Sequence, residues 1–382
     1  MERDPDEPSS DAGLVPSFSV VVVTHERERF VRESIASIED AVAAYPGDAE
    51  IIAVDSSRES VLGDTSTDVT GIHVPDANKV TQKRNIGMCE ATGDWIVYVD
   101  DDCTVAEQTL DVVASAIQDG DDEVAGYYPV TEFVGERTFP FECCVGTPFL
   151  EHFEWPRQGA DQTWGPGAMA IFEREALLAV DGFDESFASV IGGEDIDIGI
   201  RLTERGYRLV GIPETLVYHT TETWNSFWGN CRRFFEYGRG EVEVVRRHPE
   251  RSHFKLDAVT PLVVVTVVST VLASIAWGYV GLLVPPLFGI YSTLITAGNY
   301  RRAYEKPFGQ TLVLRVYDYA NAAGNVENSR WVIPTDCFRL KPGLNPNPPY
   351  PLGREYIVYP DEFLTYLGLP FALLTVYLLT VI

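Results

Sequence analysis

The sequence predicts an α/β domain with a mostly parallel sheet, followed by helices that span a membrane. Two observations indicate the sheet: short apolar segments alternate with amphipathic helical segments, and polar residues follow each apolar segment directly. A third observation indicates the membrane helices, namely 41 consecutive uncharged residues at 258–298. The 382 residues are enough for one large domain with such an attachment.

The first half of the domain contains three predicted strands. Residues 18–23 and 50–54 are apolar, and an amphipathic helix is predicted between them over 27–44. A third strand over 95–99 runs directly into three aspartates. Ligands bind beyond the carboxyl ends of strands in parallel sheets. The chemistry is therefore expected at the residues that follow each strand, which are Thr24-His25-Glu26, Asp55-Ser56-Ser57 and Asp100-Asp101-Asp102.

The second half of the domain has a less regular pattern. A glycine pair precedes a predicted helix that begins at Glu194, and a predicted strand over 209–218 ends in His219. Aromatic residues at helical spacing over 224–237 predict an interfacial helix that lies against a bilayer.

The uncharged segments predict a multi-pass membrane protein. The run at 258–298 has room for two spans, 258–276 and 279–297, and a third span is expected at 363–382. Flanking arginines and lysines place the N-terminal domain in the cytosol. The alternative is a buried hairpin of core helices. The predicted organisation is a disordered polar tail at 1–17, the catalytic domain at 18–222, a basic interfacial segment at 223–256, two spans within 257–298, a cytosolic or interfacial segment at 299–362 and the last span at 363–382.

The charge of the chain excludes one class of partner. Acids outnumber bases 57 to 29, which gives a net charge of −28, so nucleic acid is not an expected partner. Only five of the bases are lysines, and this composition indicates the cytosol of an extreme halophile. The six cysteines form no CxxC pair, so neither a disulfide framework nor a zinc site is expected.

Asp100, Asp101 and Asp102 are the strongest local signal for chemistry. Three adjacent carboxylates at a strand end repel one another and require a cation, and hard oxygen ligands suit Mg²⁺ or Mn²⁺. If the strand continues through them, Asp100 and Asp102 point to one face and Asp101 to the other. The alternative is an acidic surface turn.

At this point the sequence resembles the family 2 glycosyltransferases, which have the GT-A fold, and in particular haloarchaeal hexosyltransferases of lipid-linked and S-layer glycan assembly. The resemblance covers roughly residues 18–240 and implies a nucleotide-sugar donor. The segments that carry it, in order, are VVVVTHERERFVRESIASI, EIIAVDSS, KRNIGMCEATGDWIVYVDDD, WGPGAMAIF and GGEDIDIGIRLTERG.

The resemblance implies roles for the residues at the strand ends. Asp102 is the direct metal ligand, Asp100 lies near the metal or the ribose, and His219 is a further metal or phosphate contact. The residues implied in nucleotide-sugar binding are Thr24, Glu26, Asp55, Arg84, Asp100, Asp101, Arg232 and Arg233. The alternatives are a turn-forming role for Asp55, a surface charge at Arg84, a structural histidine at 219 and membrane anchoring for the two arginines.

The resemblance also implies a catalytic base, which is Asp195 or, as second choice, Glu194. A carboxylate there can take the proton of an acceptor hydroxyl as it attacks the anomeric carbon. The reaction is then a single inverting displacement. The alternative is that these acids only stabilise a helix N-terminus. Gly167 and Met169 are implied in the acceptor loop, and the alternative for Met169 is a plain core residue.

Cytosolic catalysis beside membrane spans predicts a membrane-embedded acceptor. We expect a polyprenyl or dolichyl phosphate-linked acceptor in cell-surface (S-layer) glycosylation. The alternatives are a processive polysaccharide synthase, a nucleotidyltransferase and a non-enzymatic membrane adaptor. The processive alternative is disfavoured because its QxxRW motif is matched only by ENSRW at 327–331, and the nucleotidyltransferase because no glycine-rich loop follows the first strand.

Overall fold

The computed structural model describes residues 15–63, 68–187, 191–249, 252–254, 259–328 and 338–340. The predicted membrane segment at 363–382 and the first 14 residues of the predicted tail lie outside this described part.

Nine strands form one sheet in the order β3-β2-β1-β4-β8-β6-β9-β5, with β7 paired to β9. Two further short strands, β10 and β11, pair with each other. The strands are β1 Phe18–Thr24, β2 Ala49–Asp55, β3 Val69–His73, β4 Trp95–Asp100, β5 Cys103–Val105, β6 Val124–Val134, β7 Asp161–Gln162, β8 Met169–Glu173, β9 Arg208–Thr220, β10 Ser252–Phe254 and β11 Phe338–Leu340.

The first half of the sheet is parallel, as predicted. β1 lies between β2 and β4, and all residues of β1 are buried. Parallel strands such as these are apolar along their whole length because both faces of the sheet are buried. The pairing Thr24↔Asp55 and Val23↔Asp100 brings the polar residues after these strands to one edge.

The second half of the sheet is mixed. β8 runs antiparallel to both β4 and β6, whereas β9 is parallel to β6. The β6–β9 ladder shifts register between Ile212 and Thr215, so β9 passes the intervening proline as a bulge. β9 then pairs with β5, and this pairing places His219 opposite Cys103 next to the aspartate turn.

Eleven helices are present in the described part of the chain. They are α1 Glu28–Ala44, α2 Val80–Glu90, α3 Thr109–Asp119, α4 Phe139–Cys144, α5 Pro148–Glu151, α6 Arg174–Ala179, α7 Glu194–Glu204, α8 Phe227–Arg247, α9 Val259–Trp277, α10 Val284–Tyr304 and α11 Phe308–Asn328. Short 3-10 turns occupy Trp155–Gln158, Glu222–Trp224 and Gly278–Leu283.

The aromatic face of α8 packs inside the protein, which corrects the interfacial prediction for 224–237. Phe234 and Trp224 are fully buried, and Phe234 and Phe227 stack against Tyr317 of α11. Trp228 remains exposed. Helical spacing alone cannot tell a bilayer from another helix of the same chain, and here α11 covers the face.

Helix α8 makes backbone contacts on two sides through glycines. A Cβ atom on Gly240 would lie 1.9 Å from the carbonyl oxygen of Gly192, just before α7. A Cβ on Gly238 would lie 1.9 Å from the carbonyl oxygen of Asn321 in α11, and one on Gly324 of α11 equally close to that of Phe235. These positions require glycine, and α8 is therefore held directly between α7 and α11.

One segment of the described chain, Thr266–Leu283, is long and apolar enough to cross a membrane, and only 17% of it is buried. The two predicted helices are present: α9 ends at Trp277, Gly278 follows it with φ +59°, and prolines open α10. Two spans are not confirmed, since α10 contains Arg301 and Arg302 in its last turn and its apolar residues are interspersed with Pro, Gly, Ser and Thr. Exposed apolar side chains on this hairpin include Val267, Val271, Ile275, Val280, Leu287 and Ile290.

Candidate active site at the carboxyl edge of the sheet

The three aspartates do not alternate between two faces, because β4 ends at Asp100 and a turn begins there. Asp101 and Asp102 both contact Arg27: its Nη1 lies 2.8 Å from Asp101 Oδ1 and 3.2 Å from Asp102 Oδ2. Asp100 instead accepts a hydrogen bond from Arg84 Nη2 at 3.0 Å. The predicted alternation is therefore wrong, since a turn breaks the period of two on which it depended.

Asp102 and His219 form a buried pair that suits a metal ion. His219 Nδ1 is 2.8 Å from the Thr220 carbonyl oxygen, a contact in which the ring nitrogen donates. Its Nε2 lone pair then faces Asp102 Oδ1 at 3.5 Å. Two acceptors held this close repel each other unless a cation lies between them.

A third side chain near this pair, Cys103, completes a group whose potential ligand atoms lie within 4.8 Å of one another. Burial, and then the neighbouring acids, raise the pKa of the Cys103 thiol well above its usual value, so the sulfur stays protonated and faces Asp102 Oδ1. The effective ligand set is oxygen and imidazole. That set fits Mn²⁺ or Mg²⁺ better than a thiophilic metal.

Opposing effects set the protonation of this pair. Burial alone would raise the pKa of Asp102, but His219, Arg27 and Arg233 outweigh it and hold the pKa below its ordinary value. Burial lowers the pKa of His219 despite the Asp102 charge. Asp102 is therefore anionic and His219 neutral at pH 7, which are the forms that bind metals.

Arg84 connects the aspartate turn to the N-terminus of α7. Its guanidinium is 3% exposed and lies 3.0 Å from Asp100 Oδ1 and 3.4 Å from Glu194 Oε1. It also donates to the carbonyl oxygen of Gly167 at 3.3 Å. A buried cation that touches acids from two distant segments brings residues 100 and 194 into one site, and Arg84 is not a surface charge.

Asp195, the predicted base, lies in the first turn of α7. Gly192 and Gly193 precede it with φ of +92° and +93°, a left-handed turn that permits the sharp entry into the helix. Burial, and next the charge of Glu194, raise the pKa of Asp195 to about 7 against the opposing effect of Arg84. The carboxylate is therefore close to half-protonated at neutral pH, as suits a general base.

The predicted nucleotide contacts after β1 and β2 adjoin the aspartate turn. Thr24 donates to Asp101 Oδ2 at 2.7 Å. Asp55 is buried and accepts from the Ser57 and Val61 amides, each at 2.7 Å, so it shapes the loop after β2. Glu26 is exposed with φ +55°, and its carboxylate accepts from the Arg58 amide.

Two basic residues of this site were not among the predicted ones. Arg27 neutralises the turn, and Lys83 donates its Nζ proton to the Thr24 carbonyl oxygen at 3.0 Å. Burial lowers the pKa of Lys83 to about 8. The only sequence signals were a base in the loop after β1 and a base next to Arg84; neither has a pattern that distinguishes it from surface residues.

The two arginines of α8 differ in position. Arg233 lies 3.9 Å above the Trp224 ring, and its charge acts on Asp102 and His219. Arg232 is exposed, and its predicted role in nucleotide binding stays a prediction. Adjacent residues on a helix point about 100° apart, so only one of them can face the metal pair.

The two residues predicted in the acceptor loop lie in different surroundings. Met169 is 1% exposed in the hydrophobic core, paired with Val99, which corrects its predicted role. A Cβ on Gly167 would lie 2.7 Å from Arg84 Nη2, so this glycine makes room for the arginine.

The mixed α/β sheet has the GT-A glycosyltransferase fold. Residues 19–178 match the model of the family described as Glycosyl transferase family 2.

Relatives support the same assignment. The chain is 26% identical over 243 residues to a Pre-mycofactocin glycosyltransferase of Mycobacterium tuberculosis, a match covering 58% of this chain and 47% of the relative. It is 27% identical over 239 residues to a Glucosyl-dolichyl phosphate glucuronosyltransferase of Haloferax volcanii, covering 55% and 74%. The chain thus spans about half the length of the mycobacterial relative.

Among solved structures, the fold is similar to mannosyltransferase PcManGT from Pyrobaculum calidifontis, solved in complex with GDP-Man and Mn²⁺. The TM-score is 0.53 at 20% identity, over 85% of this chain and 91% of that one. At this identity the likeness shows the shared fold.

Proposed function

We propose that the protein is an inverting glycosyltransferase that moves a hexose-type sugar from a nucleotide sugar to a lipid-linked acceptor at the membrane. One observation carries the proposal. Arg84 contacts both Asp100 and Glu194. The pair Asp102–His219 and the carboxylate of Asp195, whose pKa is raised to about 7, therefore lie in one site. A donor diphosphate and an acceptor hydroxyl require two such groups close together.

Asp102 and His219 would hold Mg²⁺ or Mn²⁺, with Asp100 on the adjacent edge of the turn. The bound ion supplies positive charge to the departing diphosphate. Arg233 lies beside this pair and adds a fixed cation on the same side. Thr24 and Asp55 end neighbouring strands, and we therefore assign the nucleotide to the carboxyl edge of β1 and β2.

Asp195 is the group that we assign to the acceptor. It accepts the hydroxyl proton as the acceptor oxygen attacks the anomeric carbon from the face opposite the diphosphate, so the configuration inverts. Arg84 stabilises the negative charge shared by Glu194 and Asp195 and keeps the base at a fixed distance from the aspartate turn. Glu194 itself is paired with Arg84, which favours Asp195 as the base.

The lipid-linked acceptor and the membrane location are supported by the exposed apolar hairpin. Thr266–Leu283 presents most of its side chains outward, and large apolar residues are expelled from water into a bilayer. The Haloferax relative acts, by its name, on a glucosyl-dolichyl phosphate. A cytosolic active site, a polyprenyl or dolichyl phosphate-linked acceptor and a role in S-layer glycosylation of a halophile follow as parts of this proposal.

The test is a transfer assay on the full chain in lipid nanodiscs. Labelled nucleotide sugars are offered one at a time with Mn²⁺ and dolichyl phosphate or its monoglycosylated form, and lipid products are identified by mass spectrometry. We expect one added sugar, lost on chelation and in Asp102→Asn. A polymeric product would replace this proposal with a processive synthase. Donor binding without transfer to any lipid would favour the adaptor.

A further inference from the structure

Arg27 does not belong to the proposed metal pair Asp102–His219, yet it contacts two carboxylates of the aspartate turn. It precedes α1, and its Nη1 bridges Asp101 Oδ1 and Asp102 Oδ2 at 2.8 and 3.2 Å. Its own side chain is 41% exposed, whereas the two carboxylates are nearly buried. A partly exposed cation thus neutralises two buried acids.

Asp102 divides its two oxygens between two directions. Oδ1 faces His219 Nε2, and Oδ2 faces Arg27. A dication bound between Asp102 and His219 would therefore have the Arg27 guanidinium on the opposite oxygen of the same carboxylate. Like charges this close in a partly buried site repel strongly.

The charges around the site are almost balanced before any ligand binds. Five acidic side chains, Asp100, Asp101, Asp102, Glu194 and Asp195, lie with four cationic side chains, Lys83, Arg27, Arg84 and Arg233. A free dication would leave this site with an excess of positive charge, but a dication that arrives with a nucleoside diphosphate would not. The charge balance therefore favours binding the two together over binding the metal alone.

We propose that Arg27 is a built-in counter-ion that weakens binding of the free metal and makes it depend on the donor diphosphate. This inference rests on the proposed function, since it assumes the metal pair Asp102–His219. When the donor is bound, the exposed guanidinium exchanges carboxylate oxygens for diphosphate oxygens, an equally good partner for a planar cation. Arg27 is thus a donor-binding residue and a gate on the metal site.

The experiment measures Mn²⁺ binding to the full chain in nanodiscs by electron paramagnetic resonance, without nucleotide and with saturating UDP or GDP. In Arg27→Gln we expect nucleotide-free Mn²⁺ affinity to rise about tenfold, as expected for the loss of one charge beside a dication. The strengthening of Mn²⁺ binding by the nucleoside diphosphate should fall by a similar factor. Arg27→Lys, which keeps the charge, should retain weak nucleotide-free binding.

Arg32→Gln is the matched control, because it removes the same charge from an exposed i,i+4 pair with Glu28 on the same helix. Unchanged nucleotide-free affinity in Arg27→Gln, or an equal rise in Arg32→Gln, would overturn the inference. Failure of the proposed function looks different: Asp102→Asn would then bind Mn²⁺ with nucleotide as tightly as the unmodified chain. Thermal unfolding of each variant identifies any that is misfolded. If Arg27→Gln is misfolded, the nucleotide-free Mn²⁺ affinity of Arg27→Lys decides instead.

Discussion

Two carboxylates of the site, Asp102 of the aspartate turn and Asp195 at the N-terminus of α7, have pKa values shifted in opposite directions. At the turn, neighbouring cations hold the pKa of Asp102 below its ordinary value despite burial. At α7, burial and Glu194 raise the pKa of Asp195 to about 7, and Arg84 opposes them only in part. Neighbouring cations therefore favour the charged form of Asp102, whereas burial brings the pKa of Asp195 close to neutral pH.

Removal of the proton acceptor should have the largest effect. Asp195→Asn keeps the shape of the side chain but cannot accept the hydroxyl proton, and we expect sugar transfer to fall about 10³-fold. Binding of Mn²⁺ and nucleoside diphosphate, measured by calorimetry, should change less than about threefold, since Arg84 still neutralises Asp100 and Glu194.

Glu204→Gln, an exposed acid at the other end of α7, serves as the control and should transfer at the normal rate. If Asp195→Asn still transfers sugar, Glu194 is the base. The contrast between Asp102 and Asp195 would then not describe the catalytic groups.

A smaller effect is expected from pH. Asp195 acts as a base only when deprotonated, so a pKa of about 7 means that activity rises with pH. Between pH 6 and pH 8 the deprotonated fraction, and with it the turnover rate, should increase about tenfold. Nucleotide binding in the same range is the reference measurement, and a turnover rate that is flat from pH 6 to 8 would contradict the assignment.

The smallest effect separates two adjacent arginines of α8. Arg233→Gln removes a cation beside Asp102 and should weaken Mn²⁺-dependent nucleotide binding about five- to tenfold. Arg232→Gln removes the same charge from the exposed side and should change binding less than about twofold. Equal losses in the two variants would mean a general field effect and not a specific contact.

Local patterns were sufficient to predict which strand ends meet at the candidate site. β1, β2 and β4 are continuous apolar runs, and parallel pairing necessarily brings Thr24, Asp55 and Asp100 to one edge. The start of α7 at Glu194 was also evident from the glycine pair before it. These features depend on residues close together in the chain.

Contacts between distant segments could not be predicted in this way. Met169 was expected to line an acceptor pocket, but its strand lies antiparallel to β4 and turns it into the core. The aromatic face of α8 is covered by α11, more than 70 residues later in the chain. Arg27 and Lys83 gained their positions from the same long-range packing, which no single-sequence pattern encodes.

The glycine contacts of α8 affect how this protein can be engineered. With backbone against backbone at Gly192–Gly240 and at Gly238–Asn321, no side chain can yield if a neighbouring helix is replaced. A chimera that grafts the sheet onto a foreign hydrophobic anchor would have to carry α7, α8 and α11 as one block. A junction inside that block would displace the carboxylate of Asp195 even if every residue at the sheet edge stayed the same.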